Sequence, residues 1–233
     1  MNTLEYRIPC GQEILACSVD YSETDETPSV ISLHGGGPSN RHATRYLSTA
    51  LQAAGKTVIR FDYSGQGDST GQMQRSSLKK RHAETRSVLD HFGIKRNVTV
   101  IGSSMGGYVA SSLVREIDVD NLILFCPAAY DRNAWEVEFG AGFTEIIRQK
   151  DSFLKSDIGE LLRDFNGKAL FIIGGRDEVI PAEVIELYTR ALSNCSKLEM
   201  CTIEDCPHPI HRWILNHPEV RKEIQNRVQR FLS

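Results

Sequence analysis

Long apolar runs are missing from this sequence of 233 residues. A membrane-spanning helix needs a run of about 18 or more apolar residues, and because no stretch approaches that length we expect no membrane span. The first residues, Met-Asn-Thr-Leu-Glu-Tyr-Arg, contain neither the basic segment nor the apolar segment of a secretory signal peptide. Both absences favour a cytoplasmic protein.

An excess of charge of either sign is also missing. The chain has 27 basic and 30 acidic residues and a formal net charge of −3. Nucleic-acid-binding domains usually carry a basic surplus, and binding to anionic lipid needs a polybasic segment. The densest basic cluster, Lys79-Lys80-Arg81, is interpreted as the exposed face of a helix. We therefore expect no nucleic-acid partner.

Signatures of disulfides, cofactors and metals are absent or incomplete. The six cysteines form no C-x-x-C pair, and without a signal peptide reduced thiols are expected. Gly65-Gln-Gly67 has no third glycine at the dinucleotide-binding spacing. His208-x-x-His211 has no cysteine or carboxylate spaced to complete a metal site. The sequence thus predicts neither a cofactor nor a metal.

What is present is a serine between two glycines, at Gly102-Ser-Ser-Met-Gly106. Four β-branched residues, 98–101, predict a buried strand before it, and Val109, Leu113 and Val114 predict a helix after it. Strand, G-x-S-x-G and helix form the arrangement called a nucleophile elbow. A serine on so tight a turn crowds the residues two before and two after it, where glycine fits best. The alternative is an ordinary glycine-rich turn between a strand and a helix.

Strand-like runs alternate with amphipathic helical patterns along most of the chain. The strand-like runs are 5–8, 14–19, 30–33, 57–62, 98–101, 122–126, 169–173 and 198–203. The helical patterns are 43–54, 76–92, the residues that follow Gly106 as far as Arg115, 182–192 and the residues from 218. This alternation predicts a mostly parallel sheet with helices on both faces, whose ligands bind beyond the carboxyl ends of the strands. It lapses over residues 127–166, where an Asp157-x-x-Glu160 capping box predicts one short helix.

A serine nucleophile needs a base to take its proton and a carboxylate to orient that base. Asp177 follows strand 169–173 and is the favoured carboxylate. Its neighbour Glu178 is the alternative, and Asp177 could instead cap the helix near Pro181.

Two histidines compete for the role of the base. His208 lies five residues beyond Ile203 and is favoured. If a helix begins near Pro209, His211 would point elsewhere and would only pack or cap.

The negative charge that forms on a substrate oxygen needs hydrogen-bond donors already aimed at it. The backbone amide of Met105, directly after the serine, is one candidate. The other belongs to the loop His34-Gly-Gly-Gly37 after the third strand, where Gly36 is favoured over Gly37. His34 itself is expected to brace this loop rather than to transfer protons.

The order Ser104, Asp177, His208 resembles that of the α/β-hydrolase superfamily, and the motifs resemble it over nearly the whole chain. The stretch Arg60-Phe-Asp-Tyr-Ser-Gly-Gln-Gly-Asp-Ser69 is similar to the compact serine esterases, namely the feruloyl-esterase-like and monoacylglycerol-lipase-like members. The resemblance implies that Asp62 and Asp68 are structural residues of a loop beside the pocket. It also implies one domain, 1–233, with a small helical cap at about 127–166 whose aromatic residues face the acyl pocket.

The sequence therefore predicts a serine hydrolase that cleaves a small-molecule carboxylic ester or thioester through an acyl-enzyme. Ser104 attacks, His208 takes and returns the proton, and Asp177 orients His208. The amides of Gly36 and Met105 hold the oxyanion. Two other functions stay open: a peptidase or amidase with the same triad, and a protein of this fold that binds a small ligand or a partner without turnover.

Overall fold

The computed structural model describes residues 2–233 and contains one eight-stranded sheet. The strands are β1 (Asn2–Cys10), β2 (Glu13–Tyr21), β3 (Pro28–Leu33), β4 (Thr57–Phe61), β5 (Val98–Ser103), β6 (Val119–Phe125), β7 (Lys168–Arg176) and β8 (Lys197–Pro207). Their order across the sheet is β1-β2-β4-β3-β5-β6-β7-β8. β2 pairs antiparallel with β1 and β4, and the pairs from β4 to β8 are parallel. The predicted mostly parallel sheet is confirmed.

Helices cover both faces of this sheet. They are α1 (Ser48–Ala53), α2 (Leu78–His91), α3 (Met105–Leu113), α4 (Ala141–Ile147), α5 (Ile158–Leu161), α6 (Ala182–Ala191), α7 (Ile210–Leu215) and α8 (Pro218–Leu232). On one face α1, α7 and α8 bury Leu51, Ile214, Ile224, Val228 and Phe231 against the strands. On the other face α2, α3 and α6 bury Val88, Leu89, Val109, Leu113 and Tyr188. Among residues 2–233 none of the helices has the length and apolar character needed to cross a lipid bilayer.

β5 lies inside the sheet, and all six of its residues are buried. A strand covered on both faces is expected to be a nearly continuous apolar run, which is what residues 98–101 are. Leu33 of β3 pairs with Gly102, and Ser103 pairs with Phe125 of β6. The carboxyl ends of these three strands therefore meet at one edge of the sheet, where residues 34–37 and Ser104 follow.

The helix predicted over 43–54 is shorter in the structure. A 3₁₀ turn covers Arg45–Leu47, and α1 begins only at Ser48. The amide of Arg41 donates to Asp62 Oδ1 (2.6 Å), and the hydroxyl of Thr44 lies 2.7 Å from that of Ser32. Because these bonds tie the segment to β3 and to the residue that follows β4, its first residues follow the sheet edge instead of forming a helix.

Segment 127–166 lies between β6 and β7 and contains α4, α5 and the 3₁₀ turns Arg132–Ala134 and Ser152–Lys155. The short helix predicted after Asp157 is present as α5, but the predicted side-chain cap of that helix is wrong. Asp157 precedes α5, but its carboxylate makes no cap hydrogen bond and accepts one from the hydroxyl of Tyr108 at 2.7 Å. A partner on α3 thus takes the place of the backbone amides of α5.

The basic cluster 79–81 is only partly the exposed helix face that the sequence predicts. The side chain of Lys79 is 60% exposed, whereas Arg81 is completely buried. The Arg81 guanidinium lies 3.1 Å from Glu84 and packs against the rings of Tyr63 and Phe139. The expectation is wrong for Arg81 because this residue lies one turn from Leu78, on the side of α2 that contacts the core.

Candidate active site

Ser104 occupies the turn between β5 and α3 with φ 50° and ψ −115°. Such a left-handed backbone conformation costs a residue other than glycine on the order of 1–3 kcal/mol. The amide of Ser104 donates to the carbonyl oxygen of Phe125 (2.9 Å), and its carbonyl accepts from the amides of Gly107 (2.9 Å) and Ala128 (3.1 Å). Bonds to α3 and to the chain around the end of β6 therefore hold the strained turn in place.

The two glycines of the elbow have no room for a side chain. A Cβ atom on Gly102 would lie 2.5 Å from the carbonyl oxygen of Gly106, and one on Gly106 would lie 2.3 Å from that of Leu33. Both distances are well inside van der Waals contact. This is the crowding on either side of the serine that the sequence predicts.

The structure brings Ser104, Asp177 and His208 together. His208 Nε2 lies 3.1 Å from Ser104 Oγ, and His208 Nδ1 lies 2.8 Å from Asp177 Oδ2. A neutral imidazole has one N–H, so a proton on Nδ1 donated to Asp177 leaves Nε2 to accept from the serine hydroxyl. A nucleophile bonded to a base that a carboxylate orients is the arrangement that covalent catalysis requires.

Asp177 follows the last residue of β7, and its carboxylate is almost completely enclosed. Oδ1 accepts from the amides of Val179 (2.8 Å) and Ile180 (2.9 Å), while Oδ2 contacts His208. Burial by itself raises the pKa of Asp177, but the hydrogen bonds from His208 and the two amides outweigh it and hold the pKa below its ordinary value. The carboxylate is therefore ionised at neutral pH. Glu178, the alternative, is exposed.

His211 does not contact Ser104. α7 begins at Ile210, and His211 is buried with Nε2 2.5 Å from Ser103 Oγ and Nδ1 3.1 Å from the hydroxyl of Tyr46. Burial lowers the pKa of His211 to about 3, so this imidazole is neutral. Of the two histidines, only His208 is placed to accept the proton of Ser104.

The loop His34-Gly-Gly-Gly37 passes beside the elbow. A Cβ on Gly35 would lie 3.5 Å from Ser104 Cβ, and one on Gly36 would lie 3.7 Å from Met105 Sδ. Met105 is the first residue of α3, so its amide belongs to the first turn, which has no acceptor within the helix. Within residues 2–233, neither this amide nor that of Gly36 donates to a backbone carbonyl. Both amides therefore remain available to a substrate oxygen.

His34 and Gln66 hold this loop. His34 Nδ1 lies 2.8 Å from the carbonyl oxygen of Gly35, and Nε2 accepts from the amide of Tyr63 at 3.2 Å. Burial lowers the pKa of His34 to about 4, in keeping with a neutral ring that donates at one nitrogen and accepts at the other. Gln66 Nε2 donates to the carbonyl oxygen of Gly37 at 2.7 Å. The sequence predicts bracing by His34 but contains no signal for Gln66 beyond its place between two glycines.

The two aspartates of the loop after β4 fix the chain around Arg41. Asp62 is buried and accepts from the amides of Arg41 (2.6 Å) and Asp68 (2.9 Å), and it also forms an ion pair with the Arg41 guanidinium. Asp68 Oδ2 lies 2.8 Å from Arg41 Nη1. These contacts agree with the structural role that the family resemblance implies for both residues.

Cys126, Asp177 and His208 offer side-chain atoms that all lie within 4.8 Å of one another. Metals bind the thiolate form of cysteine. Burial raises the pKa of the Cys126 thiol well above its ordinary value, and Sγ accepts from the amide of Gly174 at 3.3 Å. Within this cluster Asp177 Oδ2 and His208 Nδ1 already bond each other.

The chain matches a known protein family. The family model described as "Serine aminopeptidase, S33" matches residues 25–151. This range includes the loop at 34–37 and Ser104, and it ends before Asp177 and His208.

Two curated proteins are similar to parts of the chain. Human Protein ABHD12B is 24% identical over 209 residues, which cover 79% of this chain and 56% of that protein. The mitochondrial palmitoyl-protein thioesterase ABHD10 of Bos taurus is 30% identical over 86 residues, which cover 36% of this chain and 28% of that protein. The chain thus spans about half or less of the length of the curated relatives that it matches.

Among solved structures, Est1E from Butyrivibrio proteoclasticus, with ferulic acid bound, aligns with a TM-score of 0.70 and 20% identity. The alignment covers 96% of this chain and 99% of that chain. A likeness at this identity shows the fold, and it confirms the predicted α/β-hydrolase fold.

Proposed function

Because the chain belongs to the serine aminopeptidase S33 family of α/β-hydrolases, we propose that it is a serine hydrolase that cleaves a carboxylic ester or thioester through an acyl-enzyme. The observation that carries the proposal is the continuous contact from Asp177 through His208 to Ser104, at 2.8 and 3.1 Å. A hydroxyl alone is a weak nucleophile, and this contact gives it a base within the reach of proton transfer.

In the first half of the proposed reaction, Ser104 Oγ attacks the substrate carbonyl carbon while its proton passes to His208 Nε2. The ionised Asp177 stabilises the imidazolium that forms. The tetrahedral intermediate then collapses, the bond to the alcohol or thiol breaks, and the leaving group takes the proton from His208. Ser104 is left acylated.

In the second half, a water molecule gives one proton to His208 Nε2 as its oxygen attacks the acyl carbon. Collapse of this intermediate breaks the bond to Ser104, and His208 returns the proton to Ser104 Oγ. The free acid leaves, and the enzyme is restored.

The amides of Gly36 and Met105 are the proposed donors to the oxyanion in both halves. Their support is positional: residues 35 and 36 lie against Ser104 and Met105, and the Met105 amide begins α3. A helix N-terminus also favours negative charge. Losing one such donor typically lowers kcat by about 10²–10³.

We further propose that segment 127–166 is a small cap within a single domain and that its aromatic rings face the acyl group. Ring centroids of Tyr108 and Tyr130 are 5.3 Å apart, those of Tyr130 and Phe143 5.6 Å, and those of Phe139 and Phe143 4.8 Å. Tyr108 lies one turn after Ser104 on α3, so this chain of rings begins next to the elbow. Such surroundings suit an apolar or aromatic acyl group.

The names of similar proteins favour esters and thioesters as substrates. One relative is named a palmitoyl-protein thioesterase, and the solved Est1E structure contains ferulic acid. The description of the matched family favours a second candidate, a peptidase that removes N-terminal residues with the same triad. Both reactions pass through an acyl-enzyme, so only a comparison of ester, thioester and peptide-like substrates separates them.

The test uses a fluorophosphonate probe together with p-nitrophenyl esters of increasing acyl length, acyl-CoA thioesters and aminoacyl p-nitroanilides. We expect labelling and ester or thioester turnover by the wild type and neither by Ser104→Ala. Ser87→Ala is the matched control and should behave as the wild type, because the Ser87 hydroxyl bonds the carbonyl oxygen of Ala83 within α2. Equal labelling of the wild type and Ser104→Ala would overturn the serine mechanism. Turnover of the anilides alone would support the peptidase.

A further inference from the structure

A second serine–histidine contact lies beside the proposed catalytic one. Ser103 Oγ and His211 Nε2 are 2.5 Å apart. Ser103 is the last residue of β5 and directly precedes Ser104, while His211 lies three residues after His208 in the first turn of α7. This bond therefore joins the same two pieces of chain that the contact between Ser104 and His208 joins.

His211 is fixed from several sides. Its Nδ1 lies 3.1 Å from the hydroxyl of Tyr46, and its ring centroid lies 4.6 Å from that of Phe125. The carbonyl oxygen of Tyr46 accepts from Gln225 Nε2 of α8 at 2.5 Å. Tyr46, which bonds the ring, is thus itself tied to α8, and only 8% of His211 is exposed.

The contacts of His211 fit a neutral ring. Either the Tyr46 hydroxyl donates to Nδ1 and Nε2–H donates to Ser103, or both bonds run in the opposite direction. Each choice satisfies both ring nitrogens with one proton. A ring in this state holds its neighbours in place and has no spare nitrogen for a proton from Ser104.

The base has less support of its own. The side chain of His208 is 20% exposed, so packing alone does not fix it. It lies in the two-residue link His208-Pro209 between β8 and α7, anchored on one side by the pairing of Pro207, the last residue of β8, with Arg176 of β7. On the other side, the bond from His211 to Ser103 is a second tie to the elbow, beside the contact of His208 with Ser104 itself.

We propose that His211 is a positioning residue which, through Ser103, sets the distance between Ser104 Oγ and His208 Nε2. This inference rests on the proposed serine-hydrolase function. Proton transfer requires heavy atoms about 2.6–3.2 Å apart, and the present 3.1 Å lies near the outer limit of that range. Without the bond, α7 and the link before it can move away from β5, and the serine loses its base.

The test compares Ser103→Ala, His211→Leu and the double variant by steady-state kinetics on the best p-nitrophenyl ester. A misplacement of about 1 Å can cost about 10²-fold in rate, so we expect each single variant to lower kcat by about 10- to 100-fold with little change in KM. Both changes remove the same bond, so the double variant should be no slower than the slower single variant. His211→Gln places an N–H near the position of Nε2 and should recover most of the loss.

His91→Leu is the matched control, because His91 is an exposed residue at the end of α2, and it should keep the wild-type kcat. Thermal unfolding identifies variants that are slow because they fail to fold. If His211→Leu does not fold, Ser103→Ala, which removes only one hydroxyl, still tests the proposal. Wild-type kcat in folded Ser103→Ala and His211→Leu would overturn the proposal. So would single losses that multiply in the double variant, or a rise in KM at constant kcat.

The two proposals fail in different ways. If the wild type shows no turnover that depends on Ser104, the serine-hydrolase function is wrong. The positioning role is then decided by a crystal structure of Ser103→Ala: a longer distance from Ser104 Oγ to His208 Nε2 supports it, and an unchanged distance overturns it.

Discussion

The side-chain amide of Gln66 lies 2.7 Å from the carbonyl oxygen of Gly37, so the loop after β4 holds the loop after β3. A second acceptor, the carbonyl oxygen of Ser39, lies 3.3 Å away. Gln66 is buried, which strengthens both bonds relative to bonds in water. Gly36, the proposed oxyanion donor, belongs to the loop that this side chain holds.

Gln66→Met keeps the length of the side chain and removes its N–H donor. We expect kcat for ester hydrolysis to fall about tenfold or more with little change in KM, because a looser loop no longer presents the Gly36 amide to the transition state. Steady-state kinetics on a p-nitrophenyl ester measure both constants. Gln52→Met removes a similar bond, from Nε2 to the carbonyl oxygen of Tyr21, far from the elbow and should keep kcat. Equal kcat in the two variants would contradict the role of Gln66.

Ser104→Gly and Ser104→Ala are both expected to be inactive but to differ in stability. Alanine keeps the Cβ atom that makes φ 50° unfavourable, whereas glycine adopts this conformation readily. Glycine removes the backbone strain of the folded state, although it also raises the entropy of the unfolded chain, which lowers stability. Because the first effect is the larger, we expect Ser104→Gly to be more stable than Ser104→Ala by about 1 kcal/mol. Urea denaturation measures the difference. Equal free energies of unfolding would mean that the turn carries no strain.

Asp177 is expected to contribute stability that depends on pH. Its pKa in the folded protein is lower than in the unfolded chain, so its contribution is complete above the ordinary carboxyl pKa and disappears as pH falls through the folded value. The free energy of unfolding of the wild type should exceed that of Asp177→Asn most at neutral pH, and the difference should shrink in acid. Denaturation at a series of pH values from neutral to acid checks this. If the difference in free energy of unfolding between the wild type and Asp177→Asn grew as the pH fell, the expected direction of the pH dependence would be wrong.

Alanine at Gly106 is expected to destabilise the protein, because its Cβ would lie 2.3 Å from a backbone oxygen that cannot move without β3. Overpacking of this kind costs about 1–3 kcal/mol. Gly159→Ala in α5 is the control, since a Cβ there meets no atom within 4 Å and alanine favours helix. Thermal unfolding should show a lower Tm for Gly106→Ala and an unchanged or higher one for Gly159→Ala. The reverse order would contradict the crowding at the elbow.

Local pattern was enough to predict the sheet and the placement of the three proposed catalytic side chains. A strand buried on both faces must be apolar along its length, which makes β5 visible in residues 98–101. Parallel strands end at one edge, so residues that follow different strands are brought close together. Ser104, Asp177 and His208 each follow such an end, and the structure places them in contact.

Contacts between distant residues could not be predicted in this way. Asp157 has the spacing of a cap, but Tyr108 on α3 reaches its carboxylate first. Arg81 belongs to a basic cluster, but its guanidinium packs against the rings of Tyr63 and Phe139. The bond of Ser103 to His211 spans 108 positions of sequence, and no local period encodes it. Each of these side chains is placed by a partner that only the folded chain brings near.

The position of β4 between β2 and β3 has a consequence for the nascent chain. The hairpin β1–β2 leaves the ribosome before the other strands described, yet its place in the sheet does not exist until residues 57–61 have been made. Six consecutive residues of β2 are destined for burial, and during this interval they are exposed together with an unpaired strand edge. Until β4 is in place, the hairpin therefore exposes an unpaired edge and apolar surface of the kind that aggregates during folding.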